Sequence, residues 1–146
     1  MSWDEEFGPY YDVPGFLPFL VREKVLEDMS WHNDASPSFG IYSEAQDRDV
    51  RFWVDHPFKS HRRGTGSRFA VMVTNLGGVA EFNVDFETDD FEEALERLFQ
   101  ELAALHLNRR PGVLNWHPDT LSDNEWEHPS EYLAELKEKY FADPRN

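Results

Sequence analysis

Apolar residues recur along the chain with two different periods, and the changes of period mark the elements. In residues 16–30, Leu17, Val21, Val25 and Met29 follow one another at helical spacing, with Leu20 and Leu26 beside them. Such a stripe predicts a first helix over about residues 16–30. Pro14 and Pro18 suit its entry or first turn, where a missing N–H costs little.

From residue 38 the period drops to two. Ser38–Ser43 sets Phe39 and Ile41 on one face, and Asp49–Asp55 sets Val50, Phe52 and Val54 against Arg51, Trp53 and Asp55. Arg68–Asn75 groups Phe69, Val71 and Val73. Val79–Phe86 sets Ala80, Phe82, Val84 and Phe86 against Glu81, Asn83 and Asp85. Strict alternation predicts strands with one dry and one wetter face, the habit of antiparallel sheets. "SEAQDRD" at 43–49 reads as a turn and "NLGGV" at 75–79 as a short glycine-bearing hairpin connection. The expectation is a four-stranded antiparallel meander.

Helical spacing returns after residue 90. Phe91, Ala94, Leu95, Leu98, Phe99, Leu102 and Leu105 form one apolar stripe, with Glu92, Glu93, Glu96, Arg97 and Glu101 largely off it. Asp89 with Glu92, or Asp90 with Glu93, supplies the N-cap and an acceptor three residues on. "NRRPGVLNWHPDTLS" at 108–122 breaks every periodicity, "SDNE" at 122–125 suits one short turn, and Ser130–Phe141 reads as a final helix on Leu133, Leu136 and Tyr140. The order is α-β-β-β-β-α-α, an α+β fold with helices packed on one face of the sheet. A length of 146 residues suits a single domain over 1–146, with residues 1–12 and 142–146 expected to fray.

Composition adds exclusions. Twelve Phe and five Trp supply enough apolar surface for a core despite the charge. The absence of cysteine excludes a disulfide scaffold, a zinc-thiolate site and a thiol nucleophile. No secretory signal opens the chain and no apolar run is long enough to span a bilayer, so the expectation is a soluble, cytoplasmic protein.

Charge changes the picture further. The net charge is −15, with −6 over residues 1–34, −8 over 81–101 and −5 over 119–146. Residues 44–68 carry +2 against that field. So acidic a chain should repel nucleic acid, whose binding normally rests on a basic footprint. The nine acids of 81–101 are either a solvated face or a row of carboxylates that imitates DNA for a nucleic-acid-binding partner.

Three constellations are candidates for chemistry. The first is the basic connection "DHPFKSHRRGTGSRF" at 55–69, where His61, Arg62, Arg63 and Arg68 accompany Gly64 and Gly66. Arg forks suit carboxylate or phosphate, and glycines allow N–H groups to turn toward an anion. The same residues also fit a solvated turn that balances an acidic body.

The second is the pair "WHND" at 31–34 and "WHPD" at 116–119. Brought together, His32, Asp34, His117 and Asp119 would make a mixed nitrogen–oxygen metal site. The same tetrapeptides arise at ordinary turns, and their spacing assigns no metal or cofactor.

The third is the second sheet face, where Trp53, Tyr42 and Met72 lie beside Arg51. Aromatic residues, Met and Arg are enriched at interface centres. Either a helix covers this face as a second core or it stays open for a contact.

No GxSxG elbow, HExxH helix or GxxxxGK[ST] loop occurs, and no catalytic residue is named. The reading is a domain that binds a protein partner, a second copy of itself included, through Trp53, Arg51, His61, Arg62, Arg63 and Arg68. It makes no direct contact with nucleic acid or membrane. An enzyme or ligand-binding protein using the His/Asp site or the 57–66 loop is the alternative, as is a DNA-mimicking inhibitor.

Overall fold

A computed structural model of the chain describes residues 3–7, 11–31, 34, 36–62, 66–75, 84–107 and 125–144. The helices are α1 (Trp3–Phe7), α2 (Phe16–Arg22), α3 (Phe91–His106) and α4 (Pro129–Ala142). The strands are β1 (Glu27–Asp28), β2 (Ser38–Ser43), β3 (Arg48–Val54), β4 (Phe69–Asn75) and β5 (Val84–Thr88). They form one antiparallel sheet in sequential order, β1-β2-β3-β4-β5. The α+β class and the meander hold, with helices on one side. Among the described residues the sheet has five strands where alternation predicts four.

The fifth strand exists because α2 stops seven residues after it starts. Lys24 takes a left-handed backbone, φ 62°. Its N–H donates to the Val21 carbonyl at 3.0 Å and the Val25 N–H to the Leu20 carbonyl at 2.9 Å. This is the Schellman arrangement, in which a left-handed residue satisfies the last carbonyls. Leu20 and Val25, the residues on either side of the reversal, are both buried. The chain then leaves along β1, so the apolar residues at 25 and 26 enter the core without belonging to a helix. A single helix over 16–30 is therefore incorrect.

Trp3–Phe7 is helical, and the Asp28 carboxylate accepts from Trp3 N–H at 2.7 Å and from Ser30 N–H at 3.1 Å, which ties α1 to the end of β1.

Strands β3 and β4 bury alternate residues, whereas β2 buries Ser38, Phe39 and Gly40 in succession. Phe39, Val50, Phe52, Val54, Phe69, Val71 and Val73 are all buried on one face. Leu95, Leu98, Phe99, Leu102 and Leu105 of α3 are buried with them, and Phe91 meets Phe52 and Phe69 edge-on or tilted, ring centroids 5.9 and 5.2 Å apart. Helix α4 packs on α3 through Leu133 and Leu136, with Tyr140 reaching Phe16 and Phe19 of α2 at 5.4 and 5.3 Å. Lys137 pairs with Glu92, and Lys139 with Glu23 at 2.8 Å, across the helix layer.

Turns close the layers. Asp47, φ 50°, completes the β2–β3 turn, a position Asp tolerates. Gln46 beside it donates from Nε2 to the Leu105 carbonyl at 2.7 Å and so caps the far end of α3. A Cβ on Gly40 would stand 2.0 Å from the Val50 carbonyl oxygen, so the close approach of β2 to β3 requires glycine there.

Candidate functional site

The basic connection is built around Arg62. Its Nε donates to the His56 carbonyl at 2.8 Å and Nη2 to the Pro57 carbonyl at 3.2 Å. Nη1 donates to the Gly66 carbonyl at 2.6 Å and to Asp89 Oδ1 at 2.8 Å. The guanidinium is thus the internal brace of the loop, and its side chain is only 8% exposed. A one-turn 3-10 helix, Lys59–His61, lies on the outside of the connection and buries none of its residues.

Arg68 is braced similarly. Its Nη2 donates to the Tyr11 and Asp12 carbonyls at 3.3 and 2.8 Å, and its N–H to Asp89 Oδ1 at 2.7 Å. Partial burial lowers the Arg68 pKa, with Arg62 acting the same way and Asp12 opposing. The Arg68 N–H bond leads the causes that hold the Asp89 carboxyl below its ordinary value, with the charge of Arg62 adding to it. One carboxylate therefore ties both arginines and the start of β4 together.

His61 is exposed and stacks on His56 at 4.9 Å, with Tyr11 edge-on to His56 at 5.7 Å. Phe58, 67% exposed, donates its N–H to His56 Nδ1 at 3.0 Å. Arg63 lies outside the described residues.

The opposite face of the sheet is a different surface. Helix α3 lies on the core face, and among the described residues no helix covers the other. Tyr42 is 44% exposed and Met72 36%. Register aligns two rows across it. Ser38, Trp53, Ala70 and Glu87 form one, and Gly40, Arg51, Met72 and Asp85 the next. The Arg51 guanidinium lies 5.6 Å from the Trp53 ring centroid and donates from Nε to Asp49 Oδ2 at 2.8 Å.

A cleft of about 300 Å³ opens over the first row. Ala70 leaves its floor low, Trp53 and Met72 wall it, and the carboxylates of Asp34, Asp55, Asp85 and Glu87 surround it, with Arg68 at one side. Asp55 is buried and fastened, its carboxylate accepting from His56 N–H at 2.7 Å. Asp34, Asp85 and Glu87 have no described side-chain partner. A smaller depression of about 210 Å³ lies between Pro14, Phe16, Leu95, Tyr140 and the exposed Phe141, where the three longer helices meet.

Of the metal-ligand candidates, Asp34 lines the cleft, while His32, His117 and Asp119 lie outside the described residues. No group of three or more His, Asp or Glu among the described residues is placed to hold a metal ion. His106 ends α3 and stacks on Trp126 at 4.6 Å. Desolvation there lowers its pKa although the residue stays solvent-exposed, and the nearby Glu125 opposes the shift.

The structure thus places Trp53 and Arg51 together on the open face, and Arg62 and Arg68 around Asp89. Glu87 and Ala70 were not singled out by sequence, and Asp85 only as a wet-face carboxylate. Their signal is the pairing of Trp53 with Ala70 and Ala70 with Glu87 across three strands. No protein-family model matches the chain, and no curated protein or solved structure matches it. Among the described residues, no helix is long and apolar enough to cross a membrane.

Proposed function

We propose that the chain is a protein-binding domain that engages its partner through the open face of the sheet, around Trp53, Met72 and Arg51. The observation that carries this reading is the cleft on that uncovered face, walled by an indole and a thioether with a guanidinium beside it. Anchors of this kind concentrate binding energy at interface centres. Contiguous apolar surface left open on a soluble domain commonly marks a contact. The basic connection contributes less, because its two described arginines are engaged by the domain's own carbonyls and by Asp89.

The lack of native cysteine makes the test direct. A single Met72→Cys variant carries a photo-crosslinker on the open face, and Glu138→Cys carries it on exposed α4. Expected are adducts with a partner from cell extract at position 72, absent at 138 and lost when Trp53→Ala is added to a folded Met72→Cys protein. Equal adducts from both positions, or adducts indifferent to Trp53, would reject the open face as the docking surface.

A further inference from the structure

We infer that the cleft over Ala70 takes a cationic side chain, the guanidinium or ammonium group of an extended basic protein segment, seated between Trp53 and the Asp85–Glu87 edge. This rests on the reading of the open face as a protein-docking surface and names the chemistry of what docks.

Three observations converge. The first is shape. Trp53 and Glu87 flank Ala70 on neighbouring strands, so they stand two strand spacings apart, about 10 Å. A methyl group between two large side chains leaves a slot about the width of one extended side chain. The second is charge. Among the described residues, four carboxylates and one guanidinium line the cleft, a formal excess of three negative charges. That cation, Arg68, is partly buried, with its Nη2 held by two carbonyls and its Nε without a described partner. Asp85 and Glu87, by contrast, have no partner among the described residues and face the slot from one side. The third is the indole. Trp53 already lies against the Arg51 guanidinium, so its ring sits in a cation–π arrangement within the chain. The carboxylate of Asp49 pairs with Arg51 there, so among the described residues Arg51 does not serve the acidic edge.

An extended backbone fits better than a helix. Alternate residues of a strand lie on the same side, so every second side chain of a bound segment would face the sheet. A segment rich in Arg or Lys is also drawn by the net charge of −15, which raises its encounter rate before any contact forms.

The test uses fluorescent hexa-arginine, hexa-lysine and hexa-glutamate peptides read by anisotropy against the full chain. The basic peptides are expected to bind and hexa-glutamate not. Asp85→Asn with Glu87→Gln should weaken the basic peptides about tenfold, the scale of losing charge-assisted hydrogen bonds. Glu135→Gln with Glu138→Gln removes the same charge from exposed α4 and should change binding by no more than about twofold. Ala70→Leu fills the slot at constant charge and should weaken binding comparably to the Asp85/Glu87 pair. Should Ala70→Leu fail to fold, the isosteric Asp85/Glu87 pair still decides.

Equal losses from the cleft pair and the α4 pair would overturn the inference, since they mean diffuse attraction to an acidic surface. So would a folded Ala70→Leu protein that binds like the wild type. Peptides that fail to bind while Met72→Cys still captures a partner would reject the cationic ligand alone. Peptides that bind in the cleft while Met72→Cys captures nothing selectively would instead reject protein docking.

Discussion

Lys24 holds a backbone conformation that an L side chain adopts at a cost of about 1 kcal/mol. Nothing about lysine advertises this. A glycine or asparagine would have signalled the end of α2, whereas Lys24 lets the apolar spacing run on to Met29. Lys24→Gly should therefore relieve the strain and raise the melting temperature by about 3 °C, provided that the unfolded-chain entropy of the new glycine offsets only part of the gain. An unchanged or lower melting temperature would mean that the lysine stem contributes packing that outweighs its φ. Arg62 teaches the complementary lesson. Its charge is conspicuous in an acidic chain, yet its four donor contacts face inward. Residue type alone cannot distinguish a guanidinium offered to a partner from one that braces a loop.

Neighbouring aspartates divide the work at the start of α3. Asp90 is the N-cap, its Oδ1 accepting from Glu92 N–H at 3.0 Å and Glu93 N–H at 3.3 Å, while Thr88 Oγ1 accepts from Asp90 N–H. Asp89 points away and binds Arg62 and Arg68. Asp90→Ala should cost about 1 kcal/mol through the helix, with little dependence on the loop. Asp89→Asn should act through charge. A lowered folded-state pKa adds stability that is full above the ordinary carboxylate pKa and lost as pH falls through the lowered one. Denaturant titrations across the acid range should thus show a flatter decline for Asp89→Asn than for the wild type. A decline of unaltered steepness would place the acid sensitivity on other carboxylates.

Among the elements, strands with strict alternation and the long stripe of α3 were legible in the sequence, because each carries its signal within itself. Strand β1 was not, since two residues cannot display a period. The cleft was half legible. Alternation puts Trp53, Met72 and Asp85 on the outer side of their own strands. Which of them stand side by side depends on register, and register passes through a long β3–β4 connection whose geometry Arg62 sets by contacts remote in type from any turn motif.

For the whole molecule, a net charge of −15 means that the folded state confines mutual repulsion. Raising ionic strength from about 0.01 M to about 0.15 M shortens the screening length from about 30 Å to about 8 Å. The melting temperature of the isolated domain should rise over that range. A fall would show that attractive pairs such as Arg62–Asp89 and Lys139–Glu23 outweigh the net field.

The sequential order of the strands has a kinetic consequence. Every neighbour pair in the sheet joins segments consecutive along the chain, so no strand waits for a distant one before it can zip. Closing a loop grows costlier only slowly with its length, about 0.6 kcal/mol for each doubling. Refolding should therefore be limited less by assembly of the sheet than by the docking of α3 across it, and Gln46→Ala, which removes the bond to the Leu105 carbonyl, should speed unfolding more than it slows refolding in stopped-flow measurements.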